Sequence, residues 1–219
     1  VPVPAVEQAP ALMLLPAVLS LIAGSCDIIG FIGLGGLFTA HITGNVVLLF
    51  AHVVAGADAP MCYMLSVPVF IAALGLTRLL AGGLEWLGIG SLRPLLLLQL
   101  LLLAGSLLLC VASRAPIDPN AGTALFGGML GVSAMAVQNE LVQLSLKGAP
   151  STAVMTTNTT RVVMDLGDAL MGRDRVQAAK AAARARRTVP SIAAFVVGCG
   201  LGAWCEVAAG LWSLALPAG

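Results

Sequence analysis

The chain has 219 residues, 59% of them hydrophobic and 10% charged, with a formal net charge of +1. A soluble domain carries roughly 25% charged residues, so this chain has too little charge to coat a water-facing surface. An all-α, polytopic transmembrane bundle, one domain over residues 1–219, is the expected class, and nothing in the sequence points to a nucleic-acid partner. A β-barrel would alternate apolar and polar residues along each strand, and the run from Leu95 to Leu103 does not.

Taken in order, Val1 to Pro10 is Pro-rich with one acid and no base. It lacks the positive n-region of a signal peptide, so the apolar run behind it is expected to stay as a helix. The first span is read as 11–37. It is apolar through Ala23, meets Asp27, and ends among Gly30, Gly33, Gly35 and Gly36. An ionisable group at membrane depth is costly and usually faces the bundle interior.

Next comes Thr39-Ala40-His41-Ile42-Thr43-Gly44-Asn45, then an apolar piece ending at Ala55-Gly56. A helix from Gly44 to Val54 would be about 16 Å long, roughly half a bilayer, with Thr43 or Asn45 as its N-cap. A span over 61–81 follows, then a hydrophilic break holding Arg78, Glu85 and Arg93. The Leu-rich span 94–112 and a loop with Arg114, Pro116, Asp118 and Pro119 complete the first half.

Span 121–146 starts with small residues and reaches Gln138, Asn139 and Glu140. Thr152-Ala153-Val154-Met155-Thr156-Thr157-Asn158 then repeats the earlier motif at an offset of 113, a register that also pairs Ser20 with Ser133 and Asp27 with Glu140. The repeats are therefore expected over about 11–112 and 121–219, with the working site where they meet. Behind the second copy, Arg161 and Asp165 are four apart and would pair on one helix face. The basic connection 173–187 is expected to be cytoplasmic by the positive-inside rule, its Ala- and Arg-rich run 176–187 an amphipathic or exposed helix. The last span is expected to start at Thr188, with a shortened helix at Leu211 to Leu216.

About six or seven spans result, depending on whether the short pieces 44–55 and 157–170 cross. Crossing makes the halves parallel. Broken or re-entrant pieces make them inverted, which gathers Arg78, Arg93 and the 173–187 cluster on one side and is the preferred arrangement.

The candidate pore-lining or substrate-binding residues are Asp27, Thr39, His41, Thr43, Asn45, Gln138, Asn139, Thr156, Asn158, Arg161 and Asp165. Non-helical backbone at membrane depth must be buried in protein or line a cavity, and half-helix N-termini favour anions or polarised carbonyls. Capping and helix gluing by Thr and Asn is the plainer alternative. Asp27 is the leading single candidate, able to take a proton, hold a cation or pair with Arg161. His41 suits proton transfer, although its repeat partner is Val154. Glu140, near Lys147, is read as structural and His52 as interfacial.

The five cysteines fall mostly in apolar runs without a CxxC pair, so they read as buried hydrophobes rather than disulfides or zinc ligands. No HExxH, GxSxG, phosphate loop or dinucleotide fingerprint occurs. No metal or cofactor is therefore expected.

Gly24-Ser25-Cys26-Asp27-Ile28-Ile29-Gly30-Phe31, Phe38-Thr39-Ala40-His41-Ile42-Thr43-Gly44-Asn45 and Ala136-Val137-Gln138-Asn139 together resemble the YoaK-like bacterial membrane family, domain of unknown function 1275. The likeness covers nearly the whole chain. It departs at Thr156-Thr157-Asn158, where such proteins often read T-G-T. The resemblance implies a multi-pass protein of the bacterial inner membrane and no settled biochemical activity.

A small-solute transporter or channel with a midplane polar site is the leading expectation. A non-transporting membrane scaffold is the alternative and a membrane enzyme is third. The lipid bilayer and an unknown solute or ion are the expected partners, and a homo-oligomer is left open.

Overall fold

The computed structural model describes residues 10–113, 120–146, 148–171 and 174–219, with side chains from Leu14 onward. Arg114, Pro116, Asp118, Pro119, Lys147 and Arg173 lie outside the described residues. Among those described there is no strand. The helices are α1 (Pro10–Gly33), α2 (Ile42–Ala55), α3 (Met61–Trp86), α4 (Leu92–Ala112), α5 (Gly122–Ser145), α6 (Met155–Met171) and α7 (Arg175–Ala209). A 3-10 turn (Gly210–Leu214) and the short α8 (Ala215–Ala218) close the chain.

Five of these, α1, α3, α4, α5 and α7, are long and apolar enough to cross a membrane, making the fold a polytopic transmembrane bundle. The other two are those that the sequence leaves ambiguous. At 14 residues, α2 spans only about 21 Å. At 17 residues, α6 carries Arg161, Asp165 and Asp168.

Packing contacts fix the helix directions. Gln138 of α5 donates to the Leu19 carbonyl, while Gly128 faces Leu34 and Leu37, so α5 runs antiparallel to α1. Along α7, Gly198 meets Leu21, Gly202 meets Ser25 and Ile28, and Glu206 meets Gly33, so α7 runs parallel to α1. At one end of α3, Tyr63 donates to the Gly35 carbonyl. At its other end, Ala81 packs in one core with Leu19, Leu95, Val137 and Leu141. All described lysines and arginines consequently gather at the end of the bundle where α1 begins.

The α1–α7 crossing brings two backbones together at glycines. A Cβ on Gly24 would collide with the Phe195 carbonyl, and one on Gly198 with that of Leu21. Glycine here lets two backbones touch, a common device between membrane helices. Ser25 Oγ uses this proximity to donate to Gly198 O at 3.1 Å. Gly24, Gly30 and Gly33 thus sit in an unbroken helix, and Gly24 serves close approach.

Some boundaries differ from expectation. The basic segment is helical as expected, but it is continuous with the last span: α7 runs unbroken from Arg175 through Pro190 to Ala209. Asp174 caps it by accepting from Val176 N at 2.8 Å, and an Ala- and Arg-rich stretch has high helix propensity. Likewise α3 continues past Arg78 and Glu85 to Trp86, since long side chains at a helix end reach the interface without breaking it.

Candidate functional site

The first Thr/Asn motif forms a break between α1 and α2. Gly35 and Gly36 take φ of 68° and 89°, a left-handed region that glycine enters freely. The chain reverses there and brings Thr39, Ala40 and His41 back to Asp27. Asp27 Oδ1 accepts from Thr39 N at 2.9 Å, Ala40 N at 2.6 Å and His41 N at 3.3 Å. Its other oxygen, Oδ2, meets His41 Nδ1.

At 3% exposure, Asp27 has the set of donors that a buried carboxylate requires. From α1 it holds the segment that leads into α2. The expected local cap is absent. His41 itself occupies the N-cap position without a side-chain cap bond, and neither Thr43 nor Asn45 supplies one. Asn45, fully buried, instead clamps the turn. Its Oδ1 accepts from Phe38 N at 2.8 Å and its Nδ2 donates to Phe38 O at 2.7 Å.

A groove of about 490 Å³ opens beside this network, between α1, α2 and α7. Asp27, His41 and Thr43 contribute its polar groups, with Phe38, Phe195 and Cys199 among the apolar ones. The His41 side chain is 40% exposed and its ring meets Phe195 edge-on at 5.5 Å. Nδ1 faces the carboxylate, which leaves Nε2 as the ring nitrogen available to the groove. An imidazole so placed can accept and return one proton.

The second motif copy forms a break between α5 and α6. Asn158, also fully buried, donates from Nδ2 to Ser151 O at 2.6 Å, seven residues back. Asn45 spans the same seven-residue interval to Phe38. The anchors differ, however. Gln138 Nε2 donates to Thr152 Oγ1 at 2.9 Å and to Leu19 O at 3.0 Å, so a neutral amide stands where the first break has a carboxylate. Gln99 donates to Gln138 Oε1 at 2.8 Å. Gln99 Oε1 and Asn158 Oδ1 are buried without a hydrogen-bond partner.

These breaks do not share one cavity. The first is anchored at Asp27 and the second at Leu19, eight residues or about 12 Å apart along α1. A separate pocket of about 350 Å³ lies at the second break and includes Asn139 and Arg161. Thr39 is buried against Asp27. Thr156 is exposed, its carbonyl accepting from Thr160 Oγ1, and it joins neither pocket.

Asp165 is not paired with Arg161. It accepts from Arg184 Nε at 2.9 Å and Nη2 at 2.6 Å, linking α6 to α7. Both guanidinium donors converge on Asp165 Oδ1 from across the helix interface, a charge-assisted contact. Asp27 likewise has no contact with Arg161.

Sequence reasoning missed Phe195, Cys199 and Gln99. The first two are apolar positions in an apolar run and carry no signal. Gln99 did carry one, as a lone amide inside a Leu-rich span.

No curated protein and no solved structure matches this chain. Over residues 15–219 it matches the family described as Protein of unknown function (DUF1275). The chain, an all-helical membrane bundle with a carboxylate–imidazole pair at a helix break, belongs to that family.

Proposed function

We propose that the protein is a small-solute transporter of the bacterial inner membrane, with the Asp27–His41 groove as its solute site. The carrying observation is a buried carboxylate and a half-exposed imidazole in contact beside a groove of about 490 Å³. Intramembrane ionisable residues commonly mark solute and proton paths. The mostly apolar walls suit a small apolar solute bearing one hydrogen-bonding group, which His41 Nε2 or Thr43 would recognise.

Two inverted halves fit this reading. The matched Asn clamps at 45 and 158 support a repeat, and the antiparallel course of α1 and α5 supports inversion. Inverted repeats with interrupted helices are a common transporter plan. The basic end of the bundle, where α6 meets α7, would face the cytoplasm.

A scaffold role is the second reading, favoured by the three backbone amides that Asp27 holds. His41→Gln separates the two, because it leaves those amide bonds in place. Uptake of a panel of small weak acids, amines and neutral solutes into proteoliposomes is the test. Transport requires uptake of at least one solute above empty liposomes, cut about tenfold or more by His41→Gln, the scale of a lost general acid–base or charged hydrogen-bond contact. Uptake equal to empty liposomes across the panel would leave the scaffold reading.

A further inference from the structure

The pocket at the second break is chemically unlike the groove at Asp27, and nothing so far gives it an occupant. It lies between the end of α5 and the start of α6, and its polar groups are Asn139, Gln143, Ser151, Thr152 and Arg161. No Asp or Glu is among its described lining residues.

The hydrogen bonds already made here decide what remains free. Thr152 Oγ1 accepts from Gln138 Nε2, and Ser151 Oγ accepts from Val154 N at 3.0 Å and Ala153 N at 3.4 Å. A hydroxyl has one proton and two lone pairs, so both side chains have spent acceptor capacity and keep an O–H to give. Arg161 adds five donors and no acceptor. Asp165, its nearest acidic neighbour on the same helix face, is occupied by Arg184. The pocket therefore presents a cation and two hydroxyl donors with no charged acceptor to neutralise them.

We infer that this pocket binds an anionic oxygen group, a phosphate or carboxylate, seated on Arg161 with Thr152 and Ser151 donating to it. The inference does not rest on transport through the Asp27 groove. The group can come from an anionic lipid headgroup, given the pocket's place at the basic end of the bundle, or from a free small anion. Both have the same chemistry, and the experiment separates them.

Full-length protein in detergent is titrated with inorganic phosphate, with dioctanoyl phosphatidylglycerol and with dioctanoyl phosphatidylcholine. Binding is read by native mass spectrometry and by thermal stabilisation. Arg161→Gln and Gln143→Ala are compared with Arg93→Gln, which removes an exposed charge at the same end of the bundle but outside the pocket.

Phosphatidylglycerol bound in preference to phosphatidylcholine, and weakened about tenfold or more by Arg161→Gln but not by Arg93→Gln, supports the site with a lipid source; the factor is that of a charged hydrogen bond. Stabilisation by phosphate alone, with the same dependence on Arg161, supports it with a free anion. Weakening by Gln143→Ala under either probe adds a second variant, should Arg161→Gln purify poorly. Binding that Arg161→Gln and Gln143→Ala leave unchanged, or no binding of either anion, overturns the inference.

Discussion

Asp27 and Ala40, thirteen residues apart in sequence, meet at 2.6 Å between carboxylate Oδ1 and backbone nitrogen. That contact, with its neighbours at Thr39 and His41, holds the chain reversal between α1 and α2 closed. The same carboxylate meets His41 at the groove, so one side chain both builds the break and supplies its chemistry.

The two roles respond to different substitutions. Asp27→Ala strands three backbone N–H groups, and each buried unsatisfied donor costs about 1–3 kcal/mol, so a loss of about 3 kcal/mol or more is expected. Asp27→Asn keeps an acceptor oxygen and is expected to lose less. Thermal unfolding of the two variants in one detergent checks the order. Equal melting temperatures would contradict it.

The α1–α7 crossing gives a second test. Gly198→Ala places a methyl group against the Leu21 carbonyl, and overpacking of this kind costs about 1–3 kcal/mol. Gly75→Ala, with nothing within 4 Å of the new Cβ, is expected to be neutral or slightly stabilising through helix propensity. Melting temperatures of the pair distinguish a packing effect from a general intolerance of glycine replacement.

Asn45 and Asn158 make unequal clamps. Asn45 bonds both the N–H and the carbonyl of Phe38, whereas Asn158 bonds the Ser151 carbonyl and only a thioether, Met155 Sδ at 3.7 Å, besides. Asn45→Ala is therefore expected to be more destabilising than Asn158→Ala by about 1 kcal/mol, the worth of one net hydrogen bond. The reverse order in unfolding experiments would mean that the two breaks are not held as described.

The ion pair between α6 and α7 predicts a pattern of coupling. A double-mutant cycle on Asp165→Asn and Arg184→Gln is expected to show a nonzero, salt-sensitive interaction. A cycle on Asp165 with Arg161→Gln is expected to show none. Coupling to Arg161 alone would restore the pairing that sequence spacing first suggested.

Much of this was legible in the sequence where a chemical type is rare for its surroundings. Asp27 stood out as an acid at membrane depth, and the repeated Thr/Asn motif marked both helix breaks. Partners across helices were less accessible. Spacing of four residues links Arg161 with Asp165, but nothing in the sequence shows that Arg184 arrives from α7. Orientation within a motif was also hidden. Thr156 lies two residues, or about 200° of helix rotation, before Asn158, so burying the amide turns the threonine outward. The groove walls at Phe195 and Cys199 are apolar in an apolar run and had no reason to be singled out.

The central claim is the proposal that the Asp27–His41 groove carries a solute, with a proton exchanged at His41 as it does so. Its most direct measurement is the internal pH of dye-loaded proteoliposomes on addition of the best solute from the uptake panel. The expected result is a solute-dependent pH change for the wild type, reduced about tenfold or more in a His41→Gln protein of matched melting temperature. A wild-type trace identical to empty liposomes, or a His41→Gln trace identical to the wild type, would contradict it.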